Sequence, residues 1–399
     1  MVKATELFKA WKADARQTLA DIREALDRGR KGEPGGLRPE DFSIRNLAAE
    51  FIMDRDGNPI GLRGLESLCG SQRFLEGDGA LASSAFAAIT GQVVNAAIQE
   101  GYRLPAFALS GAVPVLPGRT EQARIVGVSL PLAEGKSLEV QQGQEYPSLG
   151  MYDEYALTPR TVKRGALVAI TKEAVLADDT GQILDQARRL GEIIGLQKET
   201  ALVDYAIGAV SNCVTERRVG DSSEVTSNLF LTSGRWVNQQ VNALADWTDF
   251  DDAEALFLGI TMPGSGRPPI LVERTVLVPP QLRSRVARIL SATETRSGST
   301  NVVVAGNPMA GLGVQMIASE LVYTRLVASG VAGATAAGTW FYGDLRRALR
   351  YYENWPLTVE EDRSREPSFT HDVLVRFKAS EKGTPVVVEP RVWSKQTPS

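Results

Sequence analysis

Residues 161–208 read TVKRGALVAITKEAVLADDTGQILDQARRLGEIIGLQKETALVDYAIG, and a change of period inside this stretch decides the fold class. From Thr161 to Ile170, small and β-branched residues predict a strand that becomes buried toward its end. Beyond Ala177-Asp178-Asp179 the spacing turns helical. Ile183, Ala187, Leu190, Ile194, Ala201, Leu202 and Tyr205 form one apolar stripe, while Asp185, Arg188, Glu192, Lys198, Glu199 and Asp204 are expected on the other faces. Thr180 is placed to cap the helix, with Asp178 and Asp179 near the positive end of its dipole. At 1.5 Å per residue a helix over 180–208 spans roughly 40 Å, far above the mean helix length. A lead-in strand followed by such a helix supplies the backbone of a domain in an α+β protein.

Working upstream, Ala123–Leu130 (ARIVGVSL), Ser137–Gln141 (SLEVQ) and Tyr152–Leu157 (YDEYAL) are short β-prone runs separated by Pro131, Gly135, Gly143, Pro147 and Gly150. They predict an extended, largely exposed hairpin with no core of its own at the tip, whose packing partner is expected on a neighbouring subunit. From Lys3 to Lys31, Leu7, Phe8, Trp11, Ala15, Leu19, Ile22 and Leu26 recur at steps of three and four. This predicts one amphipathic helix of about seven turns, stopped at Gly32-Glu33-Pro34-Gly35-Gly36. Ser83–Gln99 predicts a second helix, apolar on most sides and buried. Residues 1–110 therefore read as an N-terminal arm or assembly segment, and 111–170 as the extended loop and lead-in strand.

Downstream of the helical segment 171–208, residues 209–335 alternate short helices and strands as in an α/β domain. Trp236–Ala245 and Pro279–Leu290 are helical candidates, the second opening on proline, and Pro269–Val278 reads as a strand. Residues 336–399 are expected to form a terminal sheet. Trp340–Leu345 reads as a strand ending in a turn, Leu357–Glu361 as another strand, and Phe369–Phe377 as one arm of a hairpin that turns at Lys382-Gly383 and returns along Pro385–Glu389.

Composition excludes several classes of function. The 399 residues include 44 Lys or Arg, 48 Asp or Glu, one His and two Cys, for a formal charge of −4. Imidazole or thiolate metal sites need three or four ligands, and only His371, Cys69 and Cys213 exist. Tight wrapping of nucleic acid normally brings an excess of Lys and Arg, which is absent. The uncharged stretches Ser297–Ser319 and Leu326–Gly343 are broken by glycine and polar residues, so no membrane span is expected. An N-terminus without a signal-peptide core, together with two Cys, fits synthesis in a reducing cytoplasm.

Chemistry is sparse. His371 lies beside Asp372, but no GxSxG pattern supplies a nucleophile, and Gly264-Ser265-Gly266 reads as a flexible loop. Gly311-Leu312-Gly313 lacks the third glycine of a dinucleotide loop. Asp249, Asp251, Asp252 and Glu254 could hold a hard cation, or cap a helix starting near Ala253; the missing calcium-loop pattern favours the cap. Cys69 and Cys213 read as inert thiols. Arg346, Arg347 and Arg350 are open to three readings: a solvated face, contact with packaged nucleic acid, or pairing with a neighbour's acids. No catalytic, cofactor-binding or metal-binding residue is expected.

The order of parts resembles the major capsid proteins of tailed bacteriophages, the Hong Kong-97 type of shell protein. The resemblance covers about 120–393. It is carried by Val168-Ala169-Ile170-Thr171-Lys172-Glu173 running through Ala177-Asp178 into the long helix, Val278-Pro279-Pro280-Gln281-Leu282, Trp340-Phe341-Tyr342-Gly343-Asp344-Leu345, and Phe369–Phe377 with Glu389-Pro390-Arg391-Val392-Trp393. What it implies is a Hong Kong-97-type capsid fold, with 123–165 lying across an adjacent subunit and 180–208 as the spine helix of a peripheral domain. Residues 209–335 would be an axial domain meeting its symmetry mates in hexamers and pentamers, and 336–393 mostly the peripheral sheet. It implies a self-assembling structural protein of the virion, which forms an icosahedral head by way of a procapsid. That head would enclose double-stranded DNA without reading its sequence, with a portal and scaffold, protease or decoration proteins as partners. Some relatives remove the N-terminal segment, and some cross-link a loop Lys to an Asn. Lys136 or Lys163 and Asn354 are available, but their surroundings do not support the chemistry. An encapsulin-like nanocompartment shell is the alternative, and a soluble α/β enzyme with a carboxylate-bound divalent cation the second.

Overall fold

The computed structural model describes residues 3–51, 59, 61, 80–118, 124–129, 140, 142–143, 152–157, 159–171, 180–217, 225–262, 267–297, 303–362 and 373–398. In chain order the helices are α1 (Ala4–Ala13), α2 (Ala15–Lys31), α3 (Ile44–Phe51), α4 (Ala80–Tyr102), α5 (Ala108–Ala112), α6 (Thr180–Ala206), α7 (Thr248–Leu258), α8 (Pro280–Ser291), α9 (Glu320–Ala328), α10 (Gly333–Gly338) and α11 (Leu345–Ala348). The strands are β1 (Val115–Pro117), β2 (Arg124–Ser129), β3 (Tyr152–Leu157), β4 (Val162–Thr171), β5 (Val214–Arg217), β6 (Val225–Ser227), β7 (Gln239–Val241), β8 (Thr275–Val278), β9 (Glu294–Ser297), β10 (Val303–Gly306), β11 (Gln315–Ala318), β12 (Trp340–Gly343), β13 (Leu349–Asp362), β14 (Val373–Val387) and β15 (Trp393–Thr397). The chain is mixed α and β, as its sequence predicts, and it divides into two compact units.

The first unit takes Met1–Pro105, Lys163–Gln197 and Pro356–Glu381. Its N-terminal helix is two helices. Asp14 adopts an extended backbone, and its carboxylate accepts from the amides of Arg16 and Gln17 at 2.9 and 3.0 Å, so it caps α2 and ends the run that periodicity alone would carry through. Gly32 closes α2 with φ 71°, a left-handed cap that suits glycine. Phe8, Ile22 and Leu26 bury with Ile44, Leu47 and Phe51 of α3, Ile89, Val93 and Ile98 of α4, Val168 and Ile170 of β4, and Ile183 to Ile194 of α6. Helices α1 to α4 thus share one core with β4 and α6, with Phe8 and Phe51 edge to face at 5.4 Å. Two glycines let α4 and α6 touch main chain to main chain: a Cβ on Gly101 would lie 2.0 Å from the Arg188 carbonyl oxygen, and one on Gly191 2.0 Å from that of Ile98. The Thr180 hydroxyl accepts from the Ile44 amide at 3.0 Å, so its described bond serves the start of α3.

The second unit takes Ala106–Val162, Lys198–Trp355 and Lys382–Ser399. Its centre is a five-stranded sheet in the order β11, β8, β12, β15, β7. Strands β11 and β8 are parallel, β12 runs antiparallel to β8 and β15, and β7 is parallel to β15. Trp236, Trp340, Phe341, Tyr342 and Trp393 fill the core around it. Phe250 of α7 packs on Trp340 and Tyr342, at 5.2 and 5.6 Å between ring centroids, which sets α7 on one face. Phe341, on the other face, stacks on Trp393, whose indole N–H donates to Ala206 of α6 at 2.9 Å. Strands from both sides of residue 335 therefore share one sheet. A second sheet, in the order β2, β3, β5, β6, holds the base of the predicted hairpin, with Arg124 opposite Leu157 and Tyr155 opposite Arg217.

Two further expectations are corrected. Trp236–Ala245 contains a strand, β7, where a helix was predicted; Asn238 anchors it through non-local bonds that helical spacing does not report. Lys382-Gly383 forms no turn, because β14 runs unbroken from Val373 to Val387. Gly383 serves close approach instead: a Cβ there would fall 2.6 Å from the Tyr351 ring.

Candidate functional site

Asp185 and Glu192 of α6 are exposed as their spacing predicts, but Lys198, Glu199 and Asp204 act as internal struts. Glu199 is 0% exposed and accepts from the amides of Leu109 and Ser110, both at 2.8 Å, and from the Ser110 hydroxyl. It thereby satisfies the open amides at the start of α5. Lys198 is buried over the Tyr351 ring at 4.3 Å and lies 3.7 Å from Glu353, and Asp204 holds Arg325 through two bonds of 2.6 and 2.7 Å. Sequence spacing had put all three on outer faces. Their signal was available only in the packing, since a charged residue beside an apolar stripe looks the same whether its partner is water or another helix.

The carboxylate cluster resolves into caps and braces. Asp249 accepts from the amides of Ala245 and Asp246 at 2.5 and 2.8 Å, and Asp246 accepts from the Thr248 amide at 2.8 Å, so the helix opens at Thr248, before the expected Ala253. Glu254 binds Arg274 and the Tyr342 hydroxyl, each at 2.6 Å. Burial, then the Glu254 contact, pushes the Tyr342 phenol well above its ordinary range. Asp251 and Asp252 remain exposed. Among the described residues no group of three or more His, Cys, Asp or Glu is arranged to hold a metal ion. Asp251→Ala with Asp252→Ala is accordingly expected to leave the melting temperature unresponsive to magnesium or calcium, as in the parent chain; calorimetry with each ion checks this.

Other candidates are equally structural. Arg346 pairs with Glu273 at 2.9 Å, and Arg347 donates to the Ile270 carbonyl at 2.7 Å, so two of the three arginines brace residues 270–273 of their own chain. Asp344 completes the brace by accepting from the amides of Val272 and Glu273 at 3.1 and 3.2 Å. Burial raises the Cys213 thiol above its ordinary value, which favours the inert, protonated form. Lys163 is exposed on β4 and Asn354 half-buried on β13. His371, Asp372, Cys69, Lys136 and the Gly264 loop lie outside the described residues.

What the second unit does present is apolar surface. Val241, Leu258, Ile270 and Val272 are 70, 73, 77 and 70% exposed, and the last two sit on the braced loop. Large side chains held outward on rigid main chain suit burial against another molecule. Among the described residues no helix is long and apolar enough to cross a membrane.

Residues 154–393, well over half of the chain, match the family described as Phage capsid protein. The chain belongs to the phage capsid protein family. The match starts in β3 and ends at Trp393, so it takes in α6, the braced loop and the five-stranded sheet as far as the first residue of β15. As a capsid protein it is a structural component of the virion shell. No curated protein matches it in sequence. Solved structures that overlap it include a virus-like particle from Pyrococcus furiosus (11% identity, 75% of this chain, 96% of that one, TM-score 0.38). Gordonia phage Cozz overlaps at 14% identity, with 73% and 86% of the two chains covered and a TM-score of 0.40. The holo-SrpI encapsulin complex from Synechococcus elongatus PCC 7942 overlaps at 12% identity, with 74% and 87% covered and a TM-score of 0.41.

Proposed function

We propose that this capsid protein is the major shell protein of a tailed, double-stranded DNA phage, of the Hong Kong-97 type, and assembles as hexamers and pentamers into an icosahedral head. The observation that carries the reading is the family match across 154–393, which spans both α6 and the sheet of the second unit. The physical character agrees. Val241, Leu258, Ile270 and Val272 stand in water on the second unit, and a closed lattice gains stability by summing many such modest contacts. A charge of −4, with two of the three clustered arginines tied to their own chain, suits a container that confines DNA without gripping it. A portal, a scaffold or protease, and decoration proteins are the partners such a shell would need.

Electron microscopy of the recombinant full chain tests this. Capsomer rings or closed shells are expected, and a small monodisperse species under every assembly condition would sink the reading. Shells that enclose a co-purifying enzyme, formed without any phage component, would instead mark a nanocompartment.

A further inference from the structure

The five-stranded sheet of the second unit ends in two unpaired edges, β11 and β7, and each has an outward row of main-chain groups. On β11, the Gln315 and Ser319 amides bond β8 at 2.8 and 3.2 Å, so the alternation of a strand turns Met316 and Ala318 away from the sheet. On β7, Asn238 and Asn242 bond β15 at 2.9 and 2.8 Å, which turns Gln239 and Val241 outward. None of the four outward amides has a backbone partner among the described residues. The two edges run in the same direction, because β11 and β8 are parallel, β12 reverses, and β15 and β7 run with β8.

The edges also differ in shape and charge. Beside β11 lies a groove of about 390 Å³, lined by the four successive residues Gln315–Ala318, by Ala108, Gly111 and Ala112 of α5, and by Arg283 of α8. A cavity that touches successive residues of a strand faces its edge, and the small α5 residues keep it open. Arg283 is exposed and has no bonded partner among the described residues. Beside β7 stands α7, tied to it by bonds from Gln240 to the Asp252 carbonyl and from Asn242 to the Asp249 carbonyl at 3.2 and 2.9 Å. This helix exposes Asp251 and Asp252. Partial burial, and after it repulsion from Glu254 and Asp252, hold the Asp251 carboxyl above its ordinary value, and a nearby cation would relieve the repulsion. The crossovers β7–α7–β8 and β8–α8–β11 step in the same direction across the sheet between parallel strands. The right-handed rule therefore puts α7 and α8 on one face.

We infer that a second copy of this chain docks its β7 edge into the β11 groove, continuing the sheet in parallel from copy to copy and setting the acidic α7 of one against Arg283 on α8 of the next. The contact is head to tail, so it closes into a ring where the rotation permits. Val241, bare in the single chain, is covered in the joint. The inference rests on the shell reading and names the surface that builds its capsomer.

The test uses the full chain with Val241→Pro or with Met316→Pro. Each proline deletes one outward amide and spares the bonds that hold the strand in its own sheet. The parent chain is expected to assemble, and each variant alone to sediment as a folded monomer with assembly slowed at least tenfold. Mixed together, the two variants are expected to give a 1:1 dimer, since one retains the groove and the other the β7 edge. Exposed-charge variants guard against misfolding: Arg283→Glu, and Asp251→Lys with Asp252→Lys, each slow assembly, and all three substitutions together restore it. Assembly of a proline variant at the parent rate, folded variants that do not dimerise on mixing, or charge reversals without rescue would overturn the inference alone. A parent chain that stays monomeric overturns it together with the shell reading.

Discussion

Trp393→Ala is expected to cost about 4 kcal/mol of stability, within the range for deleting a fully buried aromatic. The side chain is completely buried at the start of β15, between β12 and β7, and stacks on Phe341 with centroids 6.5 Å apart and planes 9° from parallel. Its indole N–H also satisfies the Ala206 carbonyl in the last turn of α6, where no intrahelical donor remains. The alanine variant loses packing on the sheet and the tie to that helix end together. Trp393→Phe separates the two: most of the ring volume stays and the donor goes, so a loss of about 1–2 kcal/mol is expected for the unpaired carbonyl. Urea denaturation of the full chain, followed by tryptophan fluorescence and by circular dichroism, reads both. Equal losses for the two variants would show that the hydrogen bond, and not the packing, dominates.

The parts legible in the sequence were those whose signal is local. α6 runs over Thr180–Ala206 against an expected 180–208, because 27 residues of consistent apolar spacing outweigh any single departure. α8 was legible from Pro279-Pro280, and β2 and β3 from their β-prone runs. The single helix over 3–31 failed at one residue, Asp14, whose carboxylate bonds its own neighbours' amides in competition with the helix. The C-terminal hairpin does not form although Lys382-Gly383 has the chemistry of a turn, because the glycine is there for the Tyr351 ring. The candidate assembly surface was the least legible part. Arg283, Asp251 and Met316 have no motif in common, and only the strand order sets them at opposite ends of one sheet. A protein that works through area and edges leaves no catalytic spacing to find.

Asn238→Ala is the second large effect, about 3 kcal/mol, and it follows from how one amide holds β7 in place. Asn238 is fully buried. Its Nδ2 donates to the carbonyls of Leu229, Pro390 and Trp393 at 2.9, 3.1 and 2.9 Å, and its Oδ1 accepts from the Leu231 amide at 2.9 Å. Two chain segments, the nearby 229–231 and the distant 390–393, meet on this side chain. Truncation strands the Leu231 amide and thins the bonding of the carbonyls, and each buried polar group left alone costs about 1–3 kcal/mol. Asn238→Asp keeps the size and the acceptor but turns a carboxyl toward three carbonyl oxygens, so it should be the worse substitution at neutral pH. The introduced carboxyl would have a folded pKa above its unfolded value. Its proton is therefore held more tightly in the folded state, and the deficit relative to the parent should shrink as pH falls through that raised pKa toward the unfolded one. Denaturation midpoints measured across acid and neutral pH check the sign, and a deficit for Asn238→Asp that is flat with pH would mean that the site is open to water. Because β7 is only three residues long and Asn238 precedes it directly, both variants should also lose head-to-tail assembly at temperatures where their circular dichroism is still that of a folded chain.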